Sequence, residues 1–209
     1  MQSLRPLVVT ATLATLLLAG CRITNDKNGK NDNVDISTPF GSMKVKTNDN
    51  VDTTSLGLTA YPGAVPVKDN NDKDNSNSAD INLSFGDFHI GVKAASFQSP
   101  DAQDKIIAFY RKDLSTRYGD VIECKNDVAV GTPTRTSQGL TCDSKNDSHI
   151  HADANDNSHG SGGIELRSGS ELRQHIVSIE TKNGGTHIGL IQLNLPSQLK
   201  SHDGKAETE

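Results

Sequence analysis

Little in this chain can fill a large hydrophobic core: aromatic residues make up 4% of its 209 positions and hydrophobic residues 33%. That scarcity fits one small folded domain with polar attachments and argues against a single large apolar interior. Beyond residue 18 no apolar stretch approaches the roughly 20 residues needed to cross hydrocarbon as a helix. A basic excess is missing too, the formal net charge being −5 at pH 7, so nucleic acid is not an expected partner. Cysteine is scarce, with only Cys21, Cys124 and Cys142, and none stands in the short Cys-x-x-Cys spacing that zinc sites favour.

What is present begins at the N-terminus. One basic residue, Arg5, precedes the run Leu7 to Leu18, apolar apart from Thr10, Thr12 and Thr15. Twelve residues would rise only about 18 Å as a helix, so the run reads as the apolar region of a signal peptide, not as a membrane span. It ends in Leu18-Ala19-Gly20-Cys21, which resembles the lipobox of bacterial lipoproteins. That resemblance implies removal of residues 1–20, acylation of Cys21 and attachment to a membrane by the lipid. One acyl chain anchors only marginally and two or three anchor stably, at about 0.8 kcal/mol per buried methylene. The alternative is an ordinary secretory peptide cleaved after Ala19 or Gly20, which leaves Cys21 an odd thiol. The same resemblance makes the residue after the cysteine a sorting signal; Arg22 stands there, which implies a cell-envelope position at the outer membrane facing the periplasm. Processing leaves 20 basic against 26 acidic side chains.

Cys124 and Cys142 remain, and in an oxidising compartment they are expected to form a disulfide worth about 3 kcal/mol. Residues 21–33 hold the anchor cysteine and an Asn/Asp/Lys-rich stretch expected to be a disordered tether. Val34-Asp35-Ile36-Ser37-Thr38 and Ser42-Met43-Lys44-Val45-Lys46 alternate around Pro39-Phe40-Gly41, the pattern of a small satellite hairpin within 34–55. A globular domain is expected over 56–196, with polar insertions at 68–80 and 143–163, followed by a disordered tail over 197–209.

Within that domain Gly86-Asp87 suits a type II′ turn that sets Phe85 against Phe88, Leu83 against Ile90 and Ile81 against Val92, with Asn82, Ser84, His89 and Lys93 on the other face. Ser99-Pro100-Asp101 reads as a helix start with Ser99 as N-cap. Ile106, Ile107, Tyr110, Leu114 and Tyr118 then recur at helical spacing up to Gly119, predicting an amphipathic helix over Pro100–Tyr118. Val121 to Cys124, Gly139 to Cys142 and Ile164 to Leu166 read as short strands. Asn183-Gly184 suits a type I′ turn pairing Val177 with Leu190, Ile179 with Ile188 and Glu180 with His187. The expected fold class is therefore α+β, an antiparallel sheet of hairpins with one helix on its apolar face. Tyr61-Pro62-Gly63-Ala64, Ser99-Pro100-Asp101, Phe109-Tyr110-Arg111-Lys112 and Tyr118-Gly119 together resemble exported bacterial proteins of uncharacterised families, over about residues 60–125. The resemblance implies a small envelope domain and brings no reaction with it.

Candidate chemistry is thin. His149, His151, Asp153 and His159 offer imidazoles and a carboxylate that would suit Zn²⁺ or Cu²⁺; the plainer reading is a solvated insertion. Asp72-Lys73-Asp74-Asn75-Ser76 lacks the glycine and glutamate of a calcium loop, and the tract from Asp153 lacks the glycine and places Glu165 one residue late. No Gly-x-Ser-x-Gly elbow occurs, and Gly160-Ser161-Gly162-Gly163 is not followed by a helix that would make it a phosphate cradle. The expectation is a non-enzymatic binding or structural module without a cofactor, partnered by the membrane through its lipid and by another envelope protein. A periplasmic metal-binding protein is the alternative.

Overall fold

The computed structural model describes residues 21–28, 31–48, 53–67, 77–142 and 163–197. Eleven strands and two helices follow one another as β1 Arg22–Asn28, β2 Asn31–Thr38, β3 Gly41–Asn48, α1 Thr53–Leu56, β4 Val65–Pro66, β5 Ser78–Phe85, β6 Phe88–Ser99, α2 Gln103–Tyr118, β7 Val121–Lys125, β8 Val128–Ala129, β9 Ile164–Ser170, β10 Arg173–Lys182 and β11 Gly185–Asn194. All the strands belong to one antiparallel sheet, ordered β1-β2-β3-β5-β6-β11-β10-β9-β7-β8, with β4 beside β6.

This corrects the α+β expectation. The described chain is mostly one large antiparallel sheet, and the fold is β-rich. Two segments carry the difference. Arg22–Asn28, expected as a disordered tether, is strand β1, paired along its length with β2 from Arg22↔Ser37 to Asn28↔Asn31. The β2–β3 hairpin, expected as a satellite, joins the main sheet through β3–β5, from Ser42↔Ser84 to Asn48↔Ser78. Ladder hydrogen bonds are made by backbone groups, so a polar sequence takes part in them once a neighbouring edge is there to be paired. Of the insertion expected at 68–80, Ser78 to Asp80 belong to β5, and 68–76 lie outside the described residues.

Both turns of the central hairpins form as their dipeptides dictate. Gly86 has φ +56° at the β5–β6 turn, and Asn183 and Gly184 have φ +53° and +80° at the β10–β11 turn, which is the two-residue left-handed pattern of a type I′ turn. The registers follow: Phe85↔Phe88, Leu83↔Ile90 and Ile81↔Val92 in one, and Val177↔Leu190, Ile179↔Ile188 and Glu180↔His187 in the other. Tyr61-Pro62-Gly63-Ala64 is a turn closed by the Ala64 amide donating to the Tyr61 carbonyl at 3.0 Å. Pro62 and Gly63, the latter at φ +78°, occupy the central positions that a type II turn assigns to those residue types.

Strand β6 is long enough to serve both faces of the sheet. Leu190 pairs with Ala95 and Leu193 with Val92, and a side chain three positions away on a strand points to the opposite face. On one face Ala95, Phe97, Leu166, Val177, Ile179, Ile188 and Leu190 meet Ile106, Ile107, Tyr110 and Leu114 of α2, together with Leu56, Leu58 and Tyr61, in the main core. On the opposite face the apolar rows continue across the N-terminal strands, Ile23↔Ile36↔Met43↔Leu83↔Ile90 and Val34↔Val45↔Ile81↔Val92↔Leu193. The helix thus covers one end of the sheet, while the β5–β6 hairpin turns its apolar row away from that helix.

Helix α2 begins later than expected. Its N-cap is Ala102, with no side-chain cap; Ser99 instead ends β6, buried, and its Oγ accepts from the Asp101 amide at 3.1 Å. The helix ends at Gly119, whose φ of 87° and ψ of −129° lie in a region essentially reserved for glycine, outside the left-handed helical well that was expected. Gly139 to Cys142 contributes isolated bridges only, Gly139↔Ser170 and Arg135↔Thr141.

Candidate functional site

Cys21, exposed and unpaired by disulfide, immediately precedes β1. Because Arg22 pairs with Ser37, Cys21 stands level with the β2–β3 turn, at the end of the sheet where β5 also turns into β6. Residues 1–20 lie outside the described residues, as do His149, His151, Asp153 and His159 of the metal alternative and the tract Asp72 to Ser76. Among the described residues no group of three His, Cys, Asp or Glu side chains is placed to hold a metal ion. No described helix is long and apolar enough to cross a membrane.

Cys124 and Cys142 are joined, their Cα atoms 5.5 Å apart. The bond sits in a second small core with Ile122 and Leu140, so it staples the 131–142 loop onto β7. Thr136 fixes the same loop from within: its buried Oγ1 donates to the Gly169 carbonyl at 3.0 Å and accepts from the Leu140 amide at 3.0 Å.

A cleft of about 580 Å³ opens between α2, β7 and this loop, lined by Arg111, Ser115, Asp120, Val121, Glu123 and Val130 to Pro133. Four of its polar side chains are engaged with one another or with backbone. Arg111 pairs with Glu123, Ser115 Oγ donates to the Lys112 carbonyl at 3.0 Å, and Asp120 accepts from the Ser137 amide at 2.7 Å. Hydrogen bonding from Ser137 holds the Asp120 carboxyl below the usual carboxylate range. Among the described residues no imidazole lines the cleft.

Histidines lie elsewhere. His89 Nδ1 is 2.9 Å from Ser84 Oγ on an exposed part of the β5–β6 hairpin, a pairing visible in the predicted register but with no carboxylate bonded to the ring among the described residues. His187 faces Glu180 as the register predicts. His175 was not singled out by sequence: its ring stacks on Tyr118 with centroids 3.6 Å apart, its Nδ1 is buried without a hydrogen-bond partner among the described residues, and burial pushes its pKa down. Only the tertiary packing of α2 on β10 could have revealed it.

The Tyr61 turn and the α2 motifs serve packing. The Tyr61 hydroxyl donates to Asp101 Oδ2 at 2.7 Å and Lys105 Nζ meets the same oxygen at 2.8 Å, so the Tyr61 turn is tied to the segment that leads into α2. The Asp101 carboxyl is lowered by Lys105 first and Tyr61 second, and the Tyr61 hydroxyl is raised by Asp101. Phe109 packs edge-on against Tyr61 and Tyr110 at 5.1 and 5.0 Å. Sequence comparison adds no relative to this picture: no family model, no curated protein and no solved structure matches the chain.

Proposed function

We propose that this chain is a lipid-anchored bacterial envelope protein, attached through acyl groups on Cys21 and acting as a non-enzymatic binding or structural module. The observation that carries the reading is the twelve-residue apolar run that ends in Leu18-Ala19-Gly20-Cys21. An exposed cysteine at the very start of the first strand is accessible to acylation, and a structural disulfide suits an exported domain. Arg22 next to the anchor favours the outer membrane, with the domain in the periplasm. Labelling of cells with radioactive palmitate tests the reading: the wild-type chain takes up label and fractionates with membranes, whereas Cys21→Ser does neither. Label retained by Cys21→Ser would overturn it. The His149, His151, Asp153 and His159 segment supports a second reading, a periplasmic metal-binding protein, which a calorimetric titration with Zn²⁺ and Cu²⁺ separates from the first.

A further inference from the structure

We propose that the end of the sheet next to Cys21 docks on the membrane surface, so that the domain lies flush with the bilayer instead of swinging on a tether; this rests on the lipid-anchor reading. Four of the seven large hydrophobic side chains that stand exposed among the described residues are gathered here: Ile23 at 69%, Phe40 at 85%, Met43 at 37% and Phe85 at 49%. Ile23 and Met43 share one cross-strand row, and Phe85 is two positions beyond Leu83 of that same row, opposite Gly41. A Cβ on Gly41 would run into the Phe85 ring, so the ring lies across β3 toward the turn that carries Phe40. At about 4.8 Å per strand and 3.4 Å per residue, this apolar end lies within about 15 Å of Cys21.

The occupant is lipid because of where the chain enters the fold. The apolar run before Cys21, or the acyl chains that replace it, is delivered to hydrocarbon at residue 21, and strand pairing begins at Arg22. No spacer separates the two. An anchor joined directly to β1 brings the exposed side chains at that edge to the headgroup boundary, where apolar groups gain by leaving water. Of the neighbouring charges, Lys44 pairs with Asp35 at 3.2 Å and both belong to the rows of the opposite face, while Arg22 and Asp87 stand at the rim of this end, level with the headgroups.

The chain contains no tryptophan, so a single introduced indole reports its own position. Full-length Phe40→Trp and Val128→Trp chains, the latter a control 66% exposed on the β7–β8 hairpin, are reconstituted into phosphatidylcholine vesicles containing a lipid with a nitroxide high on its acyl chain. Intact mass is read on the same samples. The expected result is a blue shift and loss of most emission to the nitroxide lipid for Trp at 40, with Trp at 128 remaining open to aqueous acrylamide. An acylated chain in which both indoles stay equally open to acrylamide overturns the docking and leaves the anchor standing. A chain without acyl groups whose Trp at 40 is still quenched on mixing with vesicles keeps the docking and removes the anchor. Neither acylation nor quenching overturns both. A blue shift that grows with protein concentration before vesicles are added assigns the surface to a second copy of the chain, which also overturns the proposal.

Discussion

The rings of Tyr118 and His175 stack with their planes 11° from parallel, and the Tyr118 hydroxyl donates to the Gly57 carbonyl. The last residue of α2 thereby holds both β10 and the loop after α1. Burial favours the neutral imidazole and lowers the His175 pKa from its ordinary 6.5. Below about that pH the unfolded chain takes a proton that the folded chain refuses, so stability falls with acidification until the lowered folded value is passed. Denaturant unfolding between pH 7.5 and 5 is expected to show this decline, and His175→Phe, which keeps a stackable ring, is expected to flatten it. The lowered carboxyls of Asp101 and Asp120 act in a separate window, below their ordinary 3.8.

Tyr110 is fully buried in the main core. Its hydroxyl meets no hydrogen-bond geometry with any group among the described residues. Removing an unsatisfied buried hydroxyl relieves its desolvation cost, so Tyr110→Phe is expected to leave stability unchanged or to raise it by up to about 1 kcal/mol. Leu114→Ala, one turn along the same buried face, is expected to cost about 2–5 kcal/mol through the cavity it leaves. Urea midpoints of the two variants check the contrast.

Closing a loop at a sequence separation of 18, from Cys124 to Cys142, restricts the unfolded state, and replacing both cysteines by Ser is expected to cost about 3 kcal/mol. The 131–142 loop keeps other ties to the sheet, including Thr136 Oγ1 to the Gly169 carbonyl at 3.0 Å. Circular dichroism of the double variant is therefore expected to show a native sheet with a lowered melting temperature.

What could be read from sequence was what local chemistry decides. Gly86-Asp87 and Asn183-Gly184 fix two hairpins because their backbone conformations admit few other residues, and once a turn is set the register is counted outward from it. The pairing of β3 with β5, or of β6 with β11, has no such local signature. Neither does the change of face along β6: Phe88, Ile90 and Val92 look one way and Ala95 and Phe97 the other, so a hairpin read in isolation assigns its apolar row to the wrong side of the helix. Arg22–Asn28 misleads for a related reason, since its side chains describe solvent while its backbone describes a strand. At the candidate site, the Leu18 to Cys21 motif is plain in the sequence. That Cys21 lies beside Phe40 and Phe85 follows only from long-range register, and His175 emerges only when α2 lands on β10.

The polar segment between the disulfide and β9 is expected to be dispensable for folding. Cys142 is bonded to Cys124, and Cys124 is the register partner of Glu165, so both ends of residues 143–162 start from the same place on the sheet. Replacing them with a four-residue Gly/Ser linker is expected to leave the melting temperature within a few degrees of the parent, as loop-closure entropy changes slowly with length. If the parent binds Zn²⁺ or Cu²⁺ in calorimetry, the shortened chain and a variant with His149, His151 and His159 changed to Ala are both expected to lose that binding.

The account turns on Cys21, and intact mass spectrometry of the chain extracted from membranes of a bacterial host tests it most directly. It predicts a polypeptide that begins at Cys21 and carries the added mass of two or three acyl chains with the glycerol that joins two of them to sulfur. A chain that retains residues 1–20, or one cleaved after Ala19 or Gly20 with an unmodified Cys21, would contradict it.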